Sequence, residues 1–377
     1  MFIAGEVSGD LLAAELVRGI RAERSGGPMV CFGAGGPRLA EAGAELAFDL
    51  TRHAAVGLWE VLRKYGTFRG LFNQLLHLAL VRKPDVIVCV DFSGFNRRFA
   101  RAVRQWLGAH AGAPGAWSPR FVQYVSPQVW ASRASRVRTM EQDLDLLLSI
   151  FPFEKDWYAA RAPRLRVEFV GHPLCDRYGA PEARAEHQGP TAEVLLLPGS
   201  RTGELRRHLP VLQAAAHTIA ATLPVAFRLV AADAGGREFA ARFTWPVGTR
   251  LQTGGLADAL RGAELAIAST GTVTMECAWF GVPAVTLYKT SWATYQIGRR
   301  IVKVNSLTMP NLLAGTTVYP EFLQDAATAE NIARAALELL RDAPRRTAIR
   351  VELGKIRATL GGRGANRRAA QAILNLL

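Results

Sequence analysis

Short, mostly apolar runs alternate with longer segments of helical periodicity along almost the whole chain. The runs at 2–4, 29–32, 86–90, 121–125 and 144–150 are largely continuous in apolar residues. A half-exposed strand alternates apolar and polar residues, so these runs predict inner strands of a parallel sheet covered by helices. Helices are predicted between them, among others at 11–23, with Ser8 or Asp10 as its cap, and at 96–107.

A second series follows the Pro-, Gly- and charge-rich stretch "YGAPEARAEHQGP" at 178–190, which reads as a linker. Its strands are predicted at 194–197, 226–231, 265–268 and 284–287, again separated by helical patterns, and the run from 329 to 377 reads as mostly helical. The pattern predicts two doubly wound α/β domains in tandem, which bind ligands at the carboxyl ends of their strands and in the cleft between them.

Composition agrees with two cores: 377 residues, 49% of them hydrophobic, exceed what one domain needs. No stretch approaches the roughly 18 apolar residues that span a bilayer, and Met1 to Ala4 lack the features of a secretion signal, so a soluble cytoplasmic protein is expected. The net charge of +14 favours anionic partners: nucleic acid, phosphorylated metabolites or an acidic membrane. Cys31, Cys89, Cys175 and Cys277 stand far apart, and the seven histidines form no metal-ligand pair, so reduced, buried thiols are expected rather than disulfides or zinc.

The second half carries the clearest anion-binding pattern. In "VLLLPGSRTGELRRHLP" a strand runs into Gly199-Ser200-Arg201 and a helix opening near Thr202. Free helix amides, a glycine and a guanidinium suit a phosphate; an ordinary strand-to-helix turn with a solvent-facing arginine fits equally. In "LAIASTGTVTMECAWFGVPAVTL" the loop holds Thr270, Gly271 and Thr272, with Glu276 about a turn into the following helix. Two such loops and a carboxylate able to accept both ribose hydroxyls favour a nucleotide, while helix capping by Thr270 or Thr272 is the alternative. Neither loop is a Walker sequence, and "CFGAGGPRLA" lacks the third glycine of a dinucleotide fingerprint.

In the first half, "PDVIVCVDFSGFN" ends a buried strand with Asp91, near Asn96. A carboxylate there suits a general base acting on a sugar hydroxyl, or a helix cap. "QYVSPQVWASRASRVRTM" follows the next strand with Ser126, Gln128, Trp130, Arg133, Arg136 and Arg138, an anion site or a solvated helix face. The segment 56–83 interleaves Leu58, Trp59, Leu62, Phe68 and Phe72 with Arg63, Lys64, Arg69, Arg82 and Lys83. That mixture suits a bilayer interface as well as a core helix.

Ten of these pieces, in order across nearly the whole chain, resemble the lipid-A-disaccharide synthase family of GT-B glycosyltransferases: "AGEVSGD", "GAGGPRL", "VGLWEVL", "VDFSGFN", "YVSPQVWA", "FPFEKDWY", "FVGHPLCD", "LLPGSR", "STGTVTMEC" and "MPNLLAG". The resemblance implies a GT-B fold with an acceptor-binding, membrane-contacting domain at 1–177, a UDP-sugar domain at 178–354, and a C-terminal helix at about 355–377 packing back on the first. It implies transfer of 2,3-diacylglucosamine from its UDP derivative to 2,3-diacylglucosamine 1-phosphate (lipid X), with UDP released and without metal or other cofactor.

By the same resemblance Asp91 is the general base, and Gly199, Ser200, Arg201, Thr270, Gly271, Thr272, Glu276 and Asn311 bind UDP. Glu6, Ser8, Asn96, Ser126 and Gln128 fall on the acceptor side, and Leu58, Trp59, Leu62, Phe68 and Phe72 contact the membrane. The implied partners are the two lipid sugars and an acidic membrane surface, not nucleic acid; the implied place is the cytoplasmic face of the inner membrane, and a homodimer is compatible. Gly94 stands where many relatives carry a second aspartate, Ser132 stands where a second tryptophan is usual, and the family pattern expects several residues ahead of Met1. Two other readings remain compatible: a GT-B enzyme acting on UDP-N-acetylglucosamine, and an inactive nucleotide-sugar-binding protein.

Overall fold

The computed structural model describes residues 1–52, 65–111, 116–179 and 191–377. The chain divides into two compact units, Met1–Arg177 with Leu360–Leu377, and Tyr178–Thr359.

The first unit is a seven-stranded parallel sheet of β1 (Phe2–Ala4), β2 (Phe32–Gly35), β3 (Glu45–Asp49), β4 (Val86–Val90), β5 (Arg120–Tyr124), β6 (Leu146–Ser149) and β7 (Val167–Phe169). Their spatial order is β3-β2-β1-β4-β5-β6-β7. Helices α1 (Val7–Glu23), α2 (Pro37–Glu41), α3 (Tyr65–Arg82), α4 (Ser93–Ala109), α5 (Val129–Ser132), α6 (Val137–Asp143) and α7 (Pro152–Ala159) connect the strands, and α8 (Leu174–Tyr178) ends the run. Ile3, Ile87, Phe99 and Phe121 form the centre of one core layer and are fully buried.

The second unit repeats the plan with β8 (Ala192–Leu197), α9 (Thr202–Ala220), β9 (Val225–Ala231), α10 (Ala234–Ala240), β10 (Arg250–Thr253), α11 (Leu256–Gly262), β11 (Leu265–Ser269), α12 (Thr272–Trp279) and β12 (Ala284–Tyr288). It continues through α13 (Trp292–Ile301), α14 (Met309–Ala314), β13 (Glu321–Leu323), α15 (Ala329–Arg341) and α16 (Ala343–Thr359). Its six parallel strands run β10-β9-β8-β11-β12-β13. The last helix, α17 (Ala365–Leu374), returns to the first unit and packs along α1. Two backbone amides ahead of and within it, those of Gly364 and Asn366, donate to the Asp176 carboxylate.

Every strand predicted from an apolar run is present, with ends shifted by up to three residues: the run at 29–32 becomes Phe32–Gly35. Four strands carry no such run, β3, β7, β10 and β13, and these are the four sheet edges. An edge strand is flanked on one side only, so its sequence is free to include Glu45, Glu168, Arg250 and Glu321.

Three local expectations are corrected. The first helix opens at Val7, not Leu11, with Glu6 as N-cap and no side-chain cap bond, so Ser8 lies inside it. Asp10 is buried and accepts from the backbone N–H groups of Gly36 (2.7 Å), Arg38 (2.9 Å) and Leu39 (3.1 Å), capping α2 instead. Phe72 is half-buried, and its ring packs edge-on against Phe95 at 5.4 Å and Phe99 at 5.8 Å, so part of it belongs to the core. Arg82 likewise turns to Glu45 (2.7 Å) and lies over the Phe32 ring. Phe68 is half-buried on α3, and Leu58, Trp59 and Leu62 lie outside the described residues.

All four cysteines are buried free thiols. Among the described residues no helix is long and apolar enough to cross a membrane.

Candidate active site

In a doubly wound sheet the crevice for ligands opens where the strand order reverses, between loops that leave for opposite faces. In the first unit that point lies between β1 and β4, and in the second between β8 and β11. The loops at these points are 5–6 and 91–92 in the first unit, and 198–201 and 270–271 in the second. Four motifs separated in sequence are thereby paired two by two.

In the first unit Asp91 and Phe92 both adopt left-handed backbone, φ 48° and 42°, and Val125 after the neighbouring strand does so at φ 67°. A side chain in this region costs about 1–3 kcal/mol, more for a β-branched residue, and persists only where surroundings hold it. The Gln123 amide supplies the hold. Buried on β5, it faces the carbonyls of Asp91 (3.2 Å), Tyr124 (3.3 Å) and Val125 (3.1 Å). Asn96 adds a bond of 2.8 Å to the Asp91 carbonyl. The first loop completes the fit, because a Cβ on Gly5 would enter the Phe92 ring. Asp91 itself is half-buried at the end of a buried strand.

Two acceptor-side expectations change. Asn96 is fully buried; its amide nitrogen donates to the Val90 and Asp91 carbonyls and so braces the Asp91 turn, while its buried Oδ1 makes no hydrogen bond. Ser126 is buried and bonds to the Tyr158 hydroxyl at 3.1 Å, inside a cluster with Glu154. Burial pushes the Glu154 carboxyl up to about 7, against hydrogen bonds from Trp130 and Ser126 that lower it. Glu6 and Ser8 are half-exposed beside the Asp91 turn, and Gln128 is exposed at the start of α5.

In the second unit Gly199 sits at φ 103°, and a Cβ there would meet the Glu204 carboxylate and the Ser269 hydroxyl. The same observation brings the two loops together, since Ser269 ends β11. Arg201 is the N-cap of α9, where its backbone N–H donates to the Glu204 carboxylate at 3.4 Å, and its guanidinium rests on Glu204 at 3.2 Å. Thr270 and Thr272 do not cap α12; Gly271 occupies that position, with no acidic side chain in the first turn. Such an end presents backbone donors to an anion. Glu276, one turn further, accepts a 2.6 Å bond from the Tyr178 hydroxyl.

Asn311 is corrected. It is buried, its amide nitrogen donates to the Tyr319 carbonyl and Glu321, and its oxygen accepts from the amides of Val318 and Tyr319. An amide side chain offers two donors and two acceptor positions, so none is left for a nucleotide.

Three supporting residues escape a sequence reading. Gln123 is signalled only as one polar residue in the apolar run "FVQYV". His208 is fully buried in α9; its Nε2 accepts from the Lys289 amide (3.0 Å), so Nδ1 carries the proton and donates to the Pro198 carbonyl at 2.8 Å. Burial lowers its pKa, which keeps this neutral tautomer. Tyr178 lies at the start of the stretch that reads as a linker, and nothing in that stretch marks it as the partner of Glu276.

A family profile described as Lipid-A-disaccharide synthetase matches residues 1–376. The chain is 37% identical over 393 residues to the lipid-A-disaccharide synthase of Syntrophus aciditrophicus, covering 100% of this chain and 97% of that one. It is 37% identical over 387 residues to that of Myxococcus xanthus, with the same coverage. Among solved structures, the glycotransferase of kitacinnamycin superposes with a TM-score of 0.61 at 17% identity, over 100% of this chain and 98% of that chain. Such a likeness establishes the GT-B fold.

Proposed function

Because the chain belongs to the lipid-A-disaccharide synthetase family, we propose that it transfers 2,3-diacylglucosamine from UDP-2,3-diacylglucosamine to 2,3-diacylglucosamine 1-phosphate, forming the β-1,6-linked disaccharide 1-phosphate and UDP. The carrying observation is the extent of the match: it runs over residues 1–376 and so includes the loops of both units.

The acceptor's 6-hydroxyl oxygen attacks the anomeric carbon of the donor as the bond from that carbon to the diphosphate oxygen breaks, inverting the configuration. Asp91 takes the hydroxyl proton, and the left-handed turn beneath it fixes where its carboxylate points. The negative charge that grows on the departing diphosphate meets the amides at the starts of α9 and α12, with Gly199, Ser200, Gly271 and Thr272 around them. Arg201 exchanges Glu204 for the diphosphate. Glu276 accepts the ribose hydroxyls in place of the Tyr178 hydroxyl, and Thr270 borders the same pocket.

Both sugars carry acyl chains, so the enzyme works at the cytoplasmic face of the inner membrane, with Phe68 and the 56–64 stretch as contacts and the excess positive charge favouring acidic lipids.

Incubation of the purified protein with both diacylated sugars, followed by mass spectrometry, should yield UDP and the disaccharide monophosphate in equal amounts. Release of UDP without disaccharide, or no reaction, would reject the proposal.

A further inference from the structure

Beside the Asp91 turn lies a small pocket whose polar lining is Ser93, Arg97, Gln123, Arg136 and Asp143. Ser93 is two residues from Asp91, and Gln123 is the side chain that holds the Asp91 carbonyl. Arg97 stands one turn into α4, and Arg136 immediately precedes α6.

The charge here is unbalanced. Arg97 and Arg136 are half-buried, and the exposed Arg98 and Arg133 raise the positive potential on both. Desolvation, and then this crowding, lower the pKa of Arg97 and Arg136. Among the described carboxylates none forms a salt bridge with these four guanidinium groups. Asp143, the pocket's one carboxylate, lies 3.7 Å from Arg101, and its buried Oδ2 makes no hydrogen bond. Asp143 offsets part of the charge on Arg97 but is shared with Arg101 and Arg104, so the cluster keeps excess positive charge, and planar guanidinium forks match phosphate oxygens. An unsatisfied buried acceptor beside them calls for a ligand that also brings a donor.

We propose that this pocket takes a phosphate monoester, the one on carbon 1 of the sugar acceptor, held by Arg97 and Arg136 with the Ser93 hydroxyl. The inference rests on the glycosyl-transfer reading above. The acceptor supplies the missing donor as well, because the amide N–H on its carbon 2 neighbours the phosphate and suits Asp143. Seating the phosphate here brings the rest of the sugar to the Asp91 turn and makes the phosphate a requirement for recognition.

The test compares Arg97→Gln and Arg136→Gln on acceptor with and without its 1-phosphate. Each substitution should raise KM for the phosphorylated acceptor by about 10- to 100-fold, the worth of a charge-assisted contact. On the phosphate-free acceptor the change should stay within about twofold, since the partner is already gone. Equal losses on both acceptors would overturn the inference.

If the unsubstituted protein makes no disaccharide, the functional reading fails by itself, and titration with glucosamine 1-phosphate then judges the pocket. Binding lost in both variants supports it, and equal binding by all three proteins overturns it. Flotation with phosphatidylglycerol vesicles separates the other source of the same chemistry: variants that float like the parent keep the assignment, and variants that lose flotation move the phosphate to a lipid headgroup and overturn it.

Discussion

Asp91 pairs a half-buried carboxylate with a backbone that a side chain rarely adopts, and the strain is carried by Gln123, Asn96 and the missing side chain of Gly5. In the proposed base role, a carboxylate held this way does not need to reorganise as it accepts a proton. Asp91→Ala should lower disaccharide formation by about 10²- to 10⁴-fold while calorimetric UDP affinity stays unchanged. Retention of substantial turnover would remove Asp91 from the base role. On the donor side, Glu276→Ala should weaken UDP binding by about tenfold through loss of hydrogen bonds to a charged acceptor. Tyr178→Phe should not weaken it, because the ribose takes over the bond that Tyr178 makes here; a matching loss in both variants would contradict the exchange. Asp91 and Glu276 are legible in the sequence because each is a lone carboxylate just beyond an apolar run. Gln123, His208 and Tyr178 are not, because their roles are defined by partners up to 98 positions away.

Secondary-structure elements follow burial. An inner strand is covered on both faces and flanked on both sides, so apolar residues dominate there, with exceptions such as Gln123 on β5, and the run is visible in one dimension. Edge strands β3, β7, β10 and β13 lack that constraint, and their place is decided by pairing with a neighbour already in the sheet. Helix ends show a similar division. The bond from the Arg201 N–H to Glu204 at the start of α9 is local, whereas α2 is capped by Asp10, which belongs to α1. At the start of α4, Gly94 is exposed, and a Cβ added there would have no atom within 4 Å, so an aspartate fits. Gly94→Asp should stabilise the protein by about 0.5–1 kcal/mol in chemical denaturation, from better helix propensity and a negative charge at the helix start. A destabilised variant would mean that the turn before α4 needs glycine for another reason.

For the molecule as a whole, the two units each place their chemistry at the reversal of strand order, and the rest of each fold supports those loops. Glu154 links this architecture to pH. Its carboxyl is raised from 4.5 to about 7, so between those values the folded protein keeps a proton that the unfolded chain releases. Stability from this group is therefore greatest below about pH 4.5, falls as pH rises through 7, and is level above. His172, held by burial near 3, acts in the opposite sense between about 3 and 6.5, so the comparison with a variant isolates Glu154. Relative to the parent, Glu154→Gln should gain melting temperature between about pH 4.5 and 7 and hold that gain above, by up to about 3 kcal/mol in stability. A difference that does not vary with pH would show that Glu154 ionises normally.

The sequence by itself determined the two-domain α/β plan and the inner strands, and it marked the glycine loops and the carboxylates Asp91 and Glu276 as candidates, because each follows from burial pattern or local turn chemistry. It also carried the family, through motifs kept in order along the chain. Only the tertiary structure decided which loops meet, that Ser126 and Asn311 bond inside the protein while Asn96 is buried beneath the Asp91 turn, and that Arg97 and Arg136 share a pocket. Those outcomes depend on strand order and on hydrogen-bond partners far along the chain, and no local pattern encodes either.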